Sequence, residues 1–300
     1  MCTTCGCSDN AKATVTDLDS GKVISMDEHG HIHDHNHSHD HDHDHDHDHH
    51  HDHHHHDHDH SHDHSHSHGH SHDHSHGATI QLEQEVLAKN NLLAERNRGW
   101  FSGRNIVALN LVSSPGSGKT TLLERTIKDL NGDIEINVIE GDQETVNDAE
   151  RIKSTGCKVV QINTGTGCHL EADMLERGIQ QLAPPMNSIV MIENVGNLVC
   201  PALFDLGEQC KIAILSVTEG EDKPSKYPHM FQASNIMILN KVDLLPHLNF
   251  DVEKCIEHAR SVNPKIKIFQ LSATSGEGLD EWYDWLRTNL KTNIEEQASA

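Results

Sequence analysis

A glycine-rich loop between a buried strand and a helix constrains the fold of this chain more than any other feature. The apolar run NIVALNLV at 105–112 predicts the strand, SSPGSGKT follows at 113–120, and the helical segment TLLERTIKDL comes next. This order matches the pattern of a phosphate-binding loop, except that Ser113 stands where the pattern has its first glycine. Backbone N–H groups of such a loop face phosphates at a helix N-terminus. The sequence therefore predicts a P-loop NTPase.

Strand-like and helical segments alternate through the rest of the chain. Further apolar runs occur at 134–140, 158–163, 188–193, 211–217, 235–240 and 265–271. Near-continuous apolar strands between helical segments predict an α/β fold with a mainly parallel central sheet flanked by helices. Apolar residues at helical spacing predict a helix or helical pair from residue 78 onward, and 279–290 predicts the last helix.

Composition divides the chain into three predicted domains. Residues 29–76 hold 27 of the 31 histidines, mostly alternating with Asp or Ser. Alternate histidines cannot form a core, whereas imidazole binds zinc, copper and nickel alike. We therefore expect a disordered tract at 29–77 with low-affinity metal sites from His29 to His76; the alternative is a solvating tail. The other domains are a cysteine motif with a polar connector at 1–28 and the globular part at 78–300.

Charge and hydropathy exclude several classes of function. The formal net charge is −24 with neutral histidines, which disfavours binding to nucleic-acid phosphate. No apolar run has the ~18–20 residues that are needed to span a bilayer. The N-terminus has no basic segment followed by an apolar one. We therefore expect a cytoplasmic protein with no membrane span and no nucleic-acid partner.

The phosphate loop supplies most of the predicted nucleotide-binding residues. They are Pro115, Gly116, Ser117, Gly118, Lys119, Thr120 and Thr121. Lys119 is expected to reach the β- and γ-phosphates, and Thr120 is expected to bind Mg²⁺. Asp142 and Glu193 stand at the ends of two apolar strands, where acids can hold Mg²⁺ or orient the attacking water. Lys119, Asp142 and Glu193 are thus the candidate catalytic residues; the alternative for each acid is a surface or capping role.

The motif NKVD at 240–243 predicts a preference for GTP over ATP. The carboxylate of Asp243 can accept two hydrogen bonds from guanine N1–H and N2–H₂, and adenine cannot offer that pair. Asn240 and Lys241 belong to the same motif, while Ser272 and Ala273 follow the last strand and fit the loop that supports guanine in GTPases. Each short motif alone is a weak indication, but their order at strand ends makes the set specific.

Three residues of metal-binding type occur in two other loops. Cys168 and His169 follow the turn TGTG, and Cys200 follows Glu193 in NLVCP. Neighbouring residues can converge at a turn, and the N-terminus of a following helix would favour a thiolate. Two thiolates and an imidazole suit Zn²⁺ or Ni²⁺ and leave a fourth position for water or a second subunit. Spacing alone leaves the alternative of unrelated buried thiols and a surface histidine.

The N-terminal sequence CTTCGC brings Cys2, Cys5 and Cys7 together. A CxxC pair with a third thiol predicts a metal site, and the free amine is within reach as a fourth donor. A planar set of N and S donors suits Ni²⁺ or copper, while zinc or a redox pair is the alternative. The remaining cysteines and histidines of the globular part are expected to be structural: Cys157, Cys210, Cys255, His229, His247 and His258.

In combination, these motifs resemble the HypB family of hydrogenase nickel-incorporation GTPases. The likeness lies in LNLVSSPGSGKTTLLERT, TGTGCHLEADM, ENVGNLVCP, GEDKPSKYP and NKVD, and it covers about residues 78–300. Ser113 in place of glycine is similar to the family's own pattern. CTTCGC resembles the N-terminal metal motif of some members.

The resemblance implies a slow GTPase with a SIMIBI-type G domain that uses GTP, GDP and Mg²⁺ and assists nickel delivery. It implies that Cys168, His169 and Cys200 bind Ni²⁺ or Zn²⁺ at a dimer interface, and that CTTCGC is the tight nickel site. The implied partners are a second copy of the chain, bound in a GTP-dependent homodimer, the accessory protein HypA and the large-subunit precursor of [NiFe] hydrogenase. It also points to Lys223 or Lys226 as a contact to nucleotide across the dimer.

Two other functions compete with a GTP-gated nickel metallochaperone. A metal buffer, with nickel storage in the His tract, would leave the phosphate loop and NKVD without a role. A urease accessory GTPase would share the nucleotide motifs and serve another enzyme. The TGTGCH sequence and the motif around Cys200 favour the hydrogenase type.

Overall fold

The computed structural model describes residues 13–18, 20–21, 23–25, 75–143 and 147–298. The predicted metal site at Cys2, Cys5 and Cys7 lies outside the described residues, as does the His tract up to residue 74. The globular part begins with one helix that starts at Ser75, so the predicted boundary at residue 78 falls inside that helix.

Within the described residues, nine strands form one sheet. In chain order they are β1 (Thr14–Asp17), β2 (Val23–Ser25), β3 (Val107–Ser113), β4 (Ile136–Asp142), β5 (Lys158–Asn163), β6 (Ile189–Glu193), β7 (Cys210–Ser216), β8 (Ile236–Asn240) and β9 (Lys267–Gln270). Their order across the sheet is β2-β1-β5-β4-β6-β3-β7-β8-β9. The strands from β3 to β9 pair in parallel, which confirms the predicted fold class.

Helices cover both faces of the sheet. They are α1 (Ser75–Ser102), α2 (Lys119–Asp129), α3 (Asn147–Lys153), α4 (Ala172–Leu182), α5 (Lys223–Lys226), α6 (Pro228–Ala233), α7 (Val252–Val262) and α8 (Leu279–Ala298). Adjacent residues of a strand point to opposite faces, so Leu109 and Ala108 of β3 join different buried clusters. Leu122 and Trp282 pack in the first cluster, and Leu175 packs in the second.

The prediction of a polar connector within residues 1–28 is wrong for the residues of β1 and β2. Strands β1 and β2 form a hairpin, and β1 pairs antiparallel with β5 at the sheet edge. Val15 is the reason, because this side chain is only 1% exposed and packs into the cluster beneath the sheet. Thr14, Thr16 and Asp17, which suggested a connector, lie in β1 itself, and the chain turns after them at Gly21, which has a positive φ of 70°.

The strand order decides where functional groups can meet. The carboxyl ends of parallel strands lie at one edge of a sheet, and ligands bind in the crevice outside that edge. Strand β3 lies between β6 and β7, so the loops after β3 and β6 are neighbours. No helix in the described part of the chain is long and apolar enough to cross a membrane.

Candidate functional site

The phosphate loop follows β3 and has the backbone geometry that its glycines permit. Gly116 and Gly118 have φ values of 77° and 93°, which side chains with a Cβ rarely adopt. A Cβ on Gly118 would also lie 2.6 Å from Asn240 Nδ2. Ser113, which replaces the usual glycine, is fully buried and donates its hydroxyl to the Ser114 carbonyl at 2.8 Å. Its side chain therefore bonds back to the loop and leaves the loop's path intact.

A cavity of about 480 Å³ opens over this loop. It is lined by every residue from Ser113 to Thr121, by Asp142 and by Glu193. Lys119 Nζ lies 3.5 Å from Glu193 Oε1, and the Thr120 hydroxyl donates to the same oxygen at 2.8 Å. The structure thus brings together the three predicted catalytic residues and the phosphate loop.

Glu193 is buried among groups that shift its pKa in opposite directions. Burial raises its pKa, while Lys119 and the Thr120 hydroxyl lower it. Among the described residues, its buried Oε2 has no hydrogen-bond partner. A buried carboxylate oxygen without a partner is costly unless another group is bound there. With Thr120 and Asp142 beside it, the donor set fits Mg²⁺, which prefers oxygen ligands.

The same cavity is lined by further residues that the sequence did not identify. Glu140, Gln143, Asp148 and Arg151 are among them. Burial raises the pKa of Glu140 to about 9, and the neighbouring charge of Glu193 contributes. Glu140 pairs with Glu193 in the register of β4 and β6, which explains the proximity of the two acids. An acid inside the apolar run IEINVIE was the only signal that could have identified it.

Arg151 reaches the phosphate cavity from α3. Its guanidinium donates to Glu124 Oε2 at 2.6 Å and to the Thr121 hydroxyl at 3.2 Å. These contacts hold a cation beside the first turn of α2, where the phosphate loop ends. Sequence alone gave no reason to separate Arg151 from other surface arginines.

The predicted base-recognition motifs meet at the ends of β8 and β9. Asn240 donates to the Ser117 carbonyl at 2.9 Å and accepts from the Ala273 N–H at 3.2 Å, so it ties the phosphate loop to the 272–275 loop. Lys241 donates to the Gly116 carbonyl at 2.7 Å. Ser272 is buried and its hydroxyl accepts the N–H of Ser275 at 3.0 Å.

Asp243 differs from its neighbours in the base motif. Its buried Oδ1 has no hydrogen-bond partner among the described residues. A carboxylate oxygen in this state can accept donors from a bound base. Asp243 therefore remains the candidate acceptor for a bound base that the sequence predicted.

Cys168, His169 and Cys200 converge into a cluster of metal-ligand type, which we call the metal cluster. The two sulfurs lie 3.0 Å apart, and Cys168 Sγ lies 3.6 Å from His169 Nδ1. One ligand atom from each residue falls within 4.8 Å of the others. Asn197 helps to hold the two loops together, since it donates to the Cys168 carbonyl at 3.3 Å and accepts the Val199 N–H.

The environment of His169 suits a neutral ligand. The side chain is 8% exposed and its ring lies 4.0 Å from that of Phe204. Burial lowers the pKa of His169 to about 4, so the ring is neutral near pH ~7, the form that coordinates metals. The alternative of a surface histidine is therefore wrong. The expectation that Cys168 lies at a helix N-terminus is wrong, because α4 begins only at Ala172.

The remaining described cysteines have no comparable surroundings. Burial raises the pKa values of Cys210 and Cys255 to about 12, which keeps both thiols protonated. Cys157 is half-buried, and its sulfur bonds to the Ile136 carbonyl. These positions agree with the structural role that was expected for them.

Comparison with known proteins first defines the class. Residues 107–270 match the family described as CobW/HypB/UreG, nucleotide-binding domain. This match covers more than half of the chain. Together with the fold and the phosphate loop, it defines a P-loop nucleoside triphosphatase of that class.

Individual relatives narrow the class to a family. Hydrogenase maturation factor HypB of Escherichia coli (strain K12) is 63% identical over 209 residues, which cover 70% of this chain and 72% of that protein. The crystal structure of HypB from Archaeoglobus fulgidus has a TM-score of 0.64 at 39% identity, covering 68% of this chain and 99% of that chain. HypB from Helicobacter pylori in complex with nickel gives the same TM-score at 37% identity, covering 68% and 96%. The chain belongs to the HypB family of hydrogenase maturation factors.

Proposed function

We propose that this protein hydrolyses GTP to GDP and phosphate and uses the nucleotide state to control nickel delivery to [NiFe] hydrogenase. One observation carries the proposal. The metal cluster and the cavity over the phosphate loop share one edge of the sheet. Glu193 ends β6, and Cys200 lies in the segment that follows this strand.

The nucleotide part rests on the groups around the phosphate loop. Lys119 would pair with the β- and γ-phosphates, which requires its contact with Glu193 to loosen. Thr120, Asp142 and Glu193 would hold Mg²⁺, which supplies charge neutralisation for the transferred phosphoryl group. Asp142 or Glu193 would then orient the attacking water. Arg151 and Glu140 border the same cavity.

GTP is proposed over ATP because of Asp243. Its Oδ1 is buried without a partner in the described part of the chain, so guanine N1–H and N2–H₂ would satisfy an oxygen that adenine leaves unsatisfied. Asn240, Ser272 and Ala273 form the supporting wall. Lys241 would pack along the same face while it holds the phosphate loop.

Nickel is proposed as the cargo of the metal cluster. Thiolate and imidazole ligands bind Ni²⁺ and Zn²⁺ alike, so zinc would compete for the same three residues. The H. pylori relative was solved in complex with nickel, which supports nickel for this family. Three ligands leave a position that a second copy of the chain would fill in a GTP-dependent homodimer. Val199 and Leu203, exposed apolar side chains beside the cluster, would be covered in that dimer.

The rest of the chain completes the delivery route. Residues 1–28 would carry the tight nickel site at Cys2, Cys5 and Cys7, and residues 29–77 would provide low-affinity storage. The G domain would span residues 78–300. HypA and the hydrogenase large-subunit precursor are the proposed partners, and the cytoplasm is the proposed location.

Service to urease is the second candidate function. The related protein from H. pylori strain J99 is named hydrogenase/urease maturation factor HypB and is 37% identical over 72% of this chain and 90% of that protein. The E. coli relative carries the hydrogenase name alone at higher identity. Hydrogenase is therefore the first enzyme to test.

Hydrogenase activity in cells tests the proposal directly. A strain carrying Lys119→Ala should lose nearly all activity at low nickel and regain part of it with added nickel. Lys128→Ala changes an exposed lysine of the same helix and serves as the matched control. Full activity of the Lys119→Ala strain without added nickel would refute a GTP-controlled delivery step.

A further inference from the structure

Four buried polar side chains form a continuous path between the two loops of the metal cluster. They are Asn194, Asn110, Glu208 and Lys211, which we call the polar bridge. Their exposed fractions are 1%, 0%, 7% and 6%. Asn110 lies in the middle of β3, and Lys211 lies in β7. Polar groups of this kind are unusual in the centre of a parallel sheet.

The first half of the bridge holds the loop of Cys168 and His169. Asn194 Oδ1 accepts the N–H of Leu170, the residue after His169, at 3.1 Å, and it also accepts the Val195 N–H. Asn194 Nδ2 donates to Asn110 Oδ1 at 3.3 Å. The position of Leu170 is thereby fixed from the inside of the sheet.

The second half of the bridge holds the loop of Cys200. Asn110 Nδ2 donates to Glu208 Oε1 at 3.0 Å, and the Lys211 ammonium lies 3.5 Å from the same oxygen. Lys211 then donates to the carbonyls of Pro201 at 2.8 Å and Phe204 at 3.1 Å. Pro201 follows Cys200, and the Phe204 ring lies against that of His169 at a tilt of 37°.

The bridge also touches the nucleotide side of the molecule. Asn194 directly follows Glu193, whose carboxylate accepts the Thr120 hydroxyl. The Leu170 side chain packs on Gly141, where an added Cβ would lie 2.8 Å from Leu170. Gly141 precedes Asp142 at the end of β4. Any shift of these two acids with the nucleotide would therefore act on Leu170 from two directions.

Stability alone does not account for the bridge. A buried lysine and glutamate lose hydration, and well-packed apolar residues of similar volume are often as stable or more stable. Buried polar networks do fix one arrangement of the groups they join. The groups joined here are the backbones that carry both halves of the metal cluster.

We propose that the polar bridge positions the two ligand loops relative to Glu193, so that the nucleotide state sets the affinity of the metal cluster. The four side chains act as positioning residues. Asn194 lines the phosphate cavity, whereas Asn110, Glu208 and Lys211 do not. This inference rests on the proposed function, because it requires nickel at Cys168, His169 and Cys200. The nucleotide changes metal affinity only if the bridge is held differently in the GDP and GTP states.

The test uses full-length protein carrying Cys2→Ser, Cys5→Ser and Cys7→Ser, so that thiolate-to-nickel absorption reports only on the metal cluster. The His tract has no thiol and stays silent in this measurement. Ni²⁺ is titrated with GDP or with a non-hydrolysable GTP analogue, at matched dimer content. Nickel affinities in the two states should differ by at least ~5-fold, the lower range of measured coupling.

Two variants break the bridge at different points. Asn110→Leu removes its centre, and the double variant Glu208→Gln/Lys211→Met removes both charges together so that neither remains buried alone. In both variants, the nickel affinities with GDP and with the GTP analogue should differ by less than ~2-fold, and the affinity for GTP should stay unchanged. Asn137→Leu is the matched control, since Asn137 is buried in β4 and its amide has no hydrogen-bond partner among the described residues.

The possible results separate three conclusions. The positioning role would be overturned if the nickel affinities with GDP and with the GTP analogue were nearly equal before either bridge variant is made. It would also be overturned if both bridge variants left the ratio of these two affinities unchanged. Unfolding of both variants while Asn137→Leu remains folded would also overturn it, because the bridge would then serve stability. If Cys200→Ala in the same background kept the full nickel absorption, the proposed metal site itself would be wrong.

Discussion

The phosphate site and the metal cluster lie at one edge of the sheet but are built in different ways. Lys119 and Thr120 come from one stretch of the chain and both contact Glu193. Cys168 and Cys200 are 32 residues apart in sequence and meet only because two loops fold together. The first site consists of charged and hydroxyl groups, and the second of soft ligands beside an aromatic ring.

The phosphate site and the metal cluster also differ in how burial shifts the pKa values of their residues. Burial raises the pKa of Glu140 at the phosphate site and lowers the pKa of His169 in the metal cluster. Each group is therefore kept neutral near pH ~7, although one is an acid and the other a base. A local, charged site should respond to single changes in its own loop, whereas the metal cluster should depend on distant supports.

The largest predicted effect isolates the nucleotide side. Asp243→Asn should change the preference for GTP over xanthosine triphosphate by ~100-fold, because an amide reverses the hydrogen-bonding pattern that guanine requires. Competition binding measures this ratio. Asp251→Asn is the control, since Asp251 caps α7 and accepts the Lys254 N–H. An unchanged preference in Asp243→Asn would refute the base assignment.

A second substitution isolates the metal side. Cys200→Ala should weaken nickel binding at the cluster by at least ~10-fold, the scale seen when metal sites lose even a supporting group. GTP affinity should stay constant, since Cys200 does not line the phosphate cavity. Cys255→Ala removes another buried thiol and controls for lost packing. A matched loss of nickel in both variants would contradict the site.

The third prediction concerns the buried acid. The pKa of Glu140 is raised to about 9 in the folded protein, so folding loses stability as pH rises above the unfolded pKa of about 4.5. Glu140→Gln should therefore add ~2 kcal/mol more stability at about pH 8 than at about pH 5. Urea unfolding of metal-free protein measures the difference. Glu135→Gln, an exposed acid before β4, should leave the pH profile unchanged.

The smallest predicted effect has the opposite sign. The pKa of His169 is lowered from 6.5 to about 4, so the fold loses stability as pH falls between these values. His169→Gln should gain ~1 kcal/mol of stability at about pH 5 relative to about pH 8 in metal-free protein. His229→Gln, an exposed histidine of α6, is the control. If the stability gained by His169→Gln increased as the pH rises, the result would contradict the burial of His169 as a neutral ring.

The same contrast explains what the sequence could predict. The phosphate loop and NKVD are each an uninterrupted stretch of sequence, so the spacing within each motif predicted Lys119, Thr120 and Asp243. Glu140 was missed because an acid within an apolar strand shows no partner until the register with Glu193 is known. The hairpin of β1 and β2 was missed because only Val15 of β1 is buried, too little for a pattern. The polar bridge takes its residues from three separate segments, around Asn110, Asn194 and 208–211, which no local motif could indicate.

The most direct test of the account is the nickel affinity of the metal cluster in the two nucleotide states. Thiolate-to-nickel absorption of the full chain lacking Cys2, Cys5 and Cys7 gives this value with GDP and with a non-hydrolysable GTP analogue. The account predicts affinities that differ by at least ~5-fold at matched dimer content. Equal affinities in the two states would contradict it, because the phosphate site and the metal cluster would then share an edge without sharing a function.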